Sequence, residues 1–374
     1  FQPDRPDISR SKGALRMSQP ETMAPTGDIE MNGKPKMAFA ALSTALIVFS
    51  LYTAMFGVFP DMIQRGAHIS AVIGLVYIRL FGFSRPGAGM GGLSLSRMKF
   101  FGLGVLGSAV LGYQFFFYED VVSRFGSITS YEMPIAILAI ILLLDATRRT
   151  IGWSMVSLAI FFLIYALYGR QFPDLLAHRG YDLVRVLEQV YLGADGIYGT
   201  PLGVSSTFVI IIVVFGALLE KTGASGVLMD IAVSMTRNSK GGPAKAAVVG
   251  SSLMGMISGT AVANVLTTGT ISIPLMRRGG YRPAVAGAVE AVASTGGQLM
   301  PPIMGAAAFL MADIMEVPYL DITKAALLPA LLFYSAVFAS VHREAVKLGL
   351  KPLNGIEVPD VALSLRNSGH VLIS

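Results

Sequence analysis

From Ala246 to Met276 the chain runs 31 residues without a charge, bounded by Lys245 on one side and by Arg277 and Arg278 on the other. As a single helix this stretch would extend about 46 Å, well beyond the roughly 30 Å hydrocarbon core of a bilayer. It is also too short for two full crossings and a turn. Basic residues at both ends place both ends on the cytoplasmic side. Length and charge together predict a re-entrant hairpin, two half-helices meeting inside the membrane at the small, polar segment Ser258-Gly259-Thr260-Ala261-Val262-Ala263-Asn264. Irregular backbone survives at that depth only where protein or a solute cavity covers it, and secondary transporters build their sites from broken helices of this kind.

The rest of the chain agrees with a membrane setting. Of 374 residues, 53% are hydrophobic and 14% charged, and the mean hydropathy is +0.63, which predicts an all-α polytopic membrane protein. The net charge of +6 reflects basic residues at the ends of apolar runs, a topology signal with no bearing on nucleic acid. Cysteine is absent, which excludes disulfides, thiolate catalysis and cysteine metal sites, and the four histidines are scattered. Residues 1–36 are polar and are expected to be disordered; they hold no apolar h-region, so no signal peptide is expected among them, and Met17 is expected as the true start, with 1–16 as upstream read-through.

Apolar runs fall at about 37–59, 67–83, 100–118, 133–147, 152–168 and 202–219, followed by the hairpin, a long segment at 283–316 and a last span at 322–341. Starting from a cytoplasmic N-terminus at Lys34 and Lys36, every second loop is rich in Lys and Arg, and the alternation closes only if the hairpin returns to its own side. The segment 283–316 is again too long for one unbroken crossing, at about 50 Å. Its break is written as Gly296-Gly297-Gln298-Leu299-Met300-Pro301-Pro302, where prolines remove amide donors and glycines allow unusual dihedrals.

Ser258, Gly259, Thr260 and Asn264 offer hydroxyls, an amide and backbone carbonyls, the hard oxygen ligands that sodium requires; the alternative is helix packing through the Gly255-xxx-Gly259 spacing. Glu290 lies in an apolar run, where an ionisable group is by default functional; the alternative is a snorkelling or Arg282-paired residue near the helix end. Asp313 and Glu316 mark the far end of that helix, and Arg79 and Asp145 read as end anchors. Two GxGxxG matches, at Gly87–Gly92 and Gly102–Gly107, follow no strand and carry no nucleotide-binding signal. The segment 181–191 is amphipathic and suits either an interfacial helix or a solvated loop helix.

Three stretches carry a family resemblance: GIYGTPLGVSSTFVIIIVVFGALLEKTGASG (196–226), GGPAKAAVVGSSLMGMISGTAVANVLTTGTISIPLMRRGGY (241–281) and AVEAVASTGGQLMPPIMGAAAF (288–309). From about residue 174 to 329 the chain resembles the large membrane subunit of tripartite ATP-independent periplasmic (TRAP) transporters, in the branch where a four-helix small subunit is fused to the large one and the binding protein is of the TAXI type. The resemblance implies 37–150 as the small-subunit-like region and 151–374 as the N-terminal half of the transport subunit, the first half of an inverted-repeat, elevator-type fold. It implies a sodium-coupled importer of organic anions such as dicarboxylates in the bacterial inner membrane, served by a periplasmic TAXI-type solute-binding protein, with no cofactor beyond the coupling ion. Position by position, it implies that Ser258, Gly259, Thr260, Asn264, Gly296, Gly297 and Pro301 border the substrate, with Ser258, Gly259, Asn264 and Gly296 as sodium ligands. The second, inverted half that the family carries is not in these 374 residues, and the ending LRNSGHVLIS departs from the expected entry into a further span, so a truncated chain is expected. The rival readings are an ATP-binding-cassette permease, for which the ATPase-docking loop spacing is wrong, and a membrane enzyme or respiratory subunit, which would need a nucleophile and base or metal ligands at membrane depth, where no histidine and no carboxylate pair is found.

Overall fold

A computed structural model describes residues 34–83, 95–124, 126–173 and 175–350. Met17, the polar segment up to residue 33, the first glycine motif at 87–92 and the C-terminal ending at 363–374 lie outside the described residues. Among those described every regular element is helical. Helix α1 (Lys34–Phe56) takes in residues 34–36, expected to be part of the polar segment; Pro35 sits in its first turn, where the missing amide costs no hydrogen bond. Helices α2 (Asp61–Phe83), α3 (Leu95–Leu111), the short α4 (Tyr113–Phe116) and α5 (Tyr118–Ser123), and α6 (Glu132–Thr150) follow. The run expected at 100–118 therefore bends after Leu111.

Ile69, Ile73, Tyr77, Leu111, Ala136, Ala139 and Leu142 form the first core. The second glycine motif lies on a packing face, because a Cβ on Gly104 would lie 3.0 Å from the Tyr77 side chain and one on Gly107 would lie 3.3 Å from Ile73. Ser70 and Ser108 each donate to the other's carbonyl, at 2.8 and 2.9 Å. Asp145 accepts from Tyr77 at 2.9 Å and from Arg149 at 2.7 Å, which ties the end of α6 to α2.

The apolar α7 (Trp153–Tyr168) leaves Trp153, Phe161 and Phe162 exposed, as a helix facing lipid would. Helix α8 (Leu183–Leu187) continues into a π-helical turn at Glu188–Leu192. This segment is no solvated loop helix, since Leu187, Tyr191 and Leu192 are buried in the first core. Tyr198 donates to Leu111 O at 2.7 Å and Tyr191 donates to Val110 O. The first core thus crosses residue 150.

Helix α9 (Thr200–Val204), a π-helical turn at Ser205–Val209 and α10 (Ile210–Lys221) make one long apolar rod. Helix α11 (Ala224–Thr236) comes next, between the basic residues Lys221 and Arg237; thirteen residues with Asp230 inside do not read as a span, yet Met229 and Val233 pack on the hairpin. The hairpin is α12 (Gly242–Ser258) and α13 (Ala261–Arg278). Its arms of 17 and 18 residues are longer than the half-helices expected, because helix begins four residues before Ala246. Lys245, expected as a flanking charge, is 4% exposed and lies over the Phe338 ring at 5.0 Å. Helix α14 (Pro283–Gly296), a tight turn at Gly297–Leu299, α15 (Ala306–Ile314) and α16 (Tyr319–Lys347) complete the described fold. Asp313 lies in the last turn of α15. Four helical stretches, Pro35–Phe56, Trp153–Gln171, Thr200–Leu219 and Tyr319–Lys347, are long and apolar enough to cross a membrane.

Candidate functional site

The hairpin turns in two residues. Gly259 ends α12 at φ 61°, a left-handed conformation that glycine adopts without a Cβ clash, and Thr260 caps α13 by accepting from the Ala263 amide at 3.3 Å. The expected polar break over 258–264 is therefore narrower than the sequence suggests, since residues 261–264 already belong to α13. In the neighbouring break, α14 stops at Gly296, Pro301-Pro302 is a cis peptide, and Met304 stands at φ 57°. The loop is closed by Gly305, whose amide donates to Gln298 O at 2.8 Å, and by the Tyr319 hydroxyl, which donates to the carbonyls of Pro302 (2.9 Å) and Ile303.

The two breaks touch, backbone against backbone. A Cβ on Gly255 would fall 2.3 Å from the Gly297 Cα; one on Gly297 would fall 2.8 Å from both the Gly255 Cα and the Asn264 Nδ2; one on Gly259 would fall 2.4 Å from Met304 O. Glycine at these positions permits the approach. The C-terminal ends of α12 and α14 thus meet, while α13 and α15 each begin two residues after the Gly259–Met304 contact. Helix C-termini carry partial negative charge and helix N-termini partial positive charge, so the place where the breaks meet offers carbonyl ends to a cation and amide ends to an anion.

The expected site residues divide. Ser258 Oγ is buried and has no hydrogen-bond partner among the described residues. Gly259, Gly297 and Pro301 are buried at the contact, and Thr260 is exposed beside it. Asn264 is fully buried, and its amide nitrogen donates inward to Ser251 O at 2.9 Å and Ser294 O at 3.5 Å. Gly296 faces away from the tip, where a Cβ would meet the Phe333 ring at 2.1 Å.

Glu290 is neither snorkelling nor paired with Arg282. Its carboxylate is 0% exposed and accepts from the hydroxyls of Thr268, Ser272, Ser294 (2.8 Å) and Ser251 (3.2 Å), with α12, α13 and α14 each contributing. Sequence reasoning passed over these hydroxyls. The signal was the four-residue spacing of Asn264, Thr268 and Ser272 along one face of α13, matched by Glu290 and Ser294 on α14.

Residues 138–370 match the family described as "Tripartite ATP-independent periplasmic transporter, DctM component". The chain belongs to this family. The DctM match begins inside α6 and takes in the hairpin, the broken α14–α15 pair and α16, so the touching breaks lie wholly within it. DctM is a transporter component and not an enzyme, which sets aside the catalytic reading, and it is distinct from the ATP-binding-cassette reading. The chain is also similar to the uncharacterized protein y4mL of Sinorhizobium fredii (strain NBRC 101917 / NGR234), 31% identical over 121 residues that cover 31% of this chain and 28% of that protein. The match therefore spans under a third of the curated relative's length.

Proposed function

We propose that this chain is the membrane permease component of a secondary, sodium-coupled TRAP transporter that imports organic anions of the carboxylate class. A periplasmic solute-binding protein of the TAXI type delivers the anion, residues 37–150 act as the fused small subunit, and 151–374 form the first half of the transport subunit in the inner membrane with the N-terminus cytoplasmic. The observation that carries the reading is the contact of the hairpin tip with the α14–α15 break at Gly255, Gly259, Gly297 and Met304. It brings two helix N-termini together for a carboxylate and two helix C-termini together for sodium, so no buried arginine is needed to attract the anion. The unpartnered Ser258 hydroxyl supports a ligand at the tip. Basic residues at the outer ends of both hairpin arms support its return to one side of the membrane, and hence its re-entrant character.

The test uses the full-length transporter together with its binding protein. Ser258→Ala combined with Asn264→Ala is expected to abolish sodium-driven carboxylate uptake at unchanged expression, and unaltered uptake would refute the site. Ser258→Ala alone removes a hydroxyl that bonds to no described residue and is expected to lower uptake while leaving the thermal midpoint in place.

A further inference from the structure

We propose that Glu290 and the hydroxyls of Ser251, Thr268, Ser272 and Ser294 form a sodium seat of their own, separate from the place where the two breaks meet. The donor set is six side-chain oxygens, two from the carboxylate and four from hydroxyls, drawn from three packed helices. Oxygen donors of this kind suit a hard cation. Among the described residues no ion pair involves Glu290, whose carboxyl is fully buried. Hydroxyls bring no positive charge, so a sodium ion seated here would supply the cationic partner that this carboxyl lacks among the described residues.

Two of the four hydroxyls, those of Thr268 and Ser251, can turn toward an ion and keep another hydrogen bond. Thr268 has a second acceptor in Asn264 O at 2.8 Å, and Ser251 has Thr268 and Ser294 oxygens at 3.2 and 3.4 Å. Each of these hydroxyls can keep a donor bond while a lone pair faces the cation. These oxygens are hydrogen-bonded to one another, so they must part to admit sodium and must part further to admit the larger potassium. Gly269 makes the approach possible, since a Cβ there would fall 3.2 Å from the Glu290 Cγ.

The seat lies one layer behind the tip and is joined to it through Asn264. That residue's Oδ1 lies 3.4 Å from the Thr268 hydroxyl, and its amide holds the Ser251 and Ser294 carbonyls. An ion at Glu290 therefore acts on the very side chain that abuts Gly297. The role of this ion in coupling rests on the transport reading; its binding does not.

The experiment measures binding of radioactive sodium to the purified chain in lipid nanodiscs, with potassium as competitor. Saturable binding that potassium does not displace is expected. Glu290→Gln should weaken it by at least about tenfold, a loss of about 1.4 kcal/mol, while Gly287→Ala, also on α14 but with nothing within 4 Å of the added Cβ, should retain it. Ser272→Ala, a smaller change, should weaken binding severalfold and guards against a Glu290→Gln variant that fails to fold, which size-exclusion chromatography would report. Unaltered binding by a folded Glu290→Gln variant, or no saturable sodium binding by the unmodified chain, overturns the proposal. Loss on Ser258→Ala with retention on Glu290→Gln would place the ion at the tip and overturn it too, leaving the transport reading intact. Sodium binding that depends on Glu290 in a full-length protein without carboxylate uptake would uphold the seat and sink the transport reading instead.

Discussion

At Gly255 and Gly297 the hairpin and the broken helix approach so closely that a single methyl group has nowhere to go. A Cβ on Gly255 would meet only backbone atoms of Gly297, and one on Gly297 would meet the Gly255 backbone as well as the Asn264 Nδ2; the backbone atoms cannot rotate aside. Gly255→Ala or Gly297→Ala should each destabilise the protein by roughly 1–3 kcal/mol, the usual cost of overpacking. A thermal melt in nanodiscs would show it. Gly287, on α14, meets nothing within 4 Å, so Gly287→Ala should be neutral or raise the midpoint through about 1 kcal/mol of helix propensity. Equal effects at 255 and 287 would contradict the contact. The glycines were visible in the sequence, but which pair touches depended on two segments 42 positions apart coming together.

A second residue-scale consequence concerns Glu132, at the helix end ahead of the apolar run 133–147. Burial pushes its carboxyl up, but hydrogen bonds from Arg124, from the Thr129 hydroxyl and amide, and from Tyr113 outweigh burial and take it down to about 2. A group lowered in the folded state contributes stability that is complete above its unfolded value, near about 4.3 for Glu, and is lost as pH falls toward 2. The thermal midpoint should therefore fall between about pH 4 and pH 2, and Arg124→Leu should flatten that dependence. A midpoint that Arg124→Leu leaves equally acid-sensitive would count against the linkage.

At the scale of elements, the two breaks were legible because their chemistry is local. Glycine and paired prolines interrupt a helix wherever it packs, and a capping threonine restarts one. Helix α11 was not legible, since a thirteen-residue segment carrying Asp230 looks like a loop until α12 is there to cover Met229 and Val233. The break in α14 is fastened by Tyr319, whose hydroxyl holds the carbonyls of Pro302 and Ile303 while its ring stacks on Phe309 with centroids 4.1 Å apart. Tyr319→Phe keeps the stack and removes the clamp, so a loss of about 1 kcal/mol is expected, together with faster amide exchange confined to 297–305. Exchange that stays unchanged there would show that the clamp does not hold the break.

For the molecule as a whole, the first core does not respect the boundary drawn at residue 150. Tyr191 and Tyr198 reach back to the end of α3, and Gln64 donates to Ser206 O at 3.2 Å. If 37–150 is a small-subunit-like module, a chain cut at Gly152 and expressed as two pieces should still copurify through these contacts. Pieces that separate in mild detergent would argue that the covalent link is required. Sequence alone determined the membrane class, the positions of the two helix breaks and the presence of a charged residue inside an apolar run, because hydropathy, charge at span ends and proline or glycine chemistry are local properties. Only the tertiary structure decided that the breaks touch, that Gly296 faces away from the tip, and that Glu290 is enclosed by four hydroxyls. Each of those depends on contacts between segments far apart in the chain, and those contacts exist only once the helices have packed.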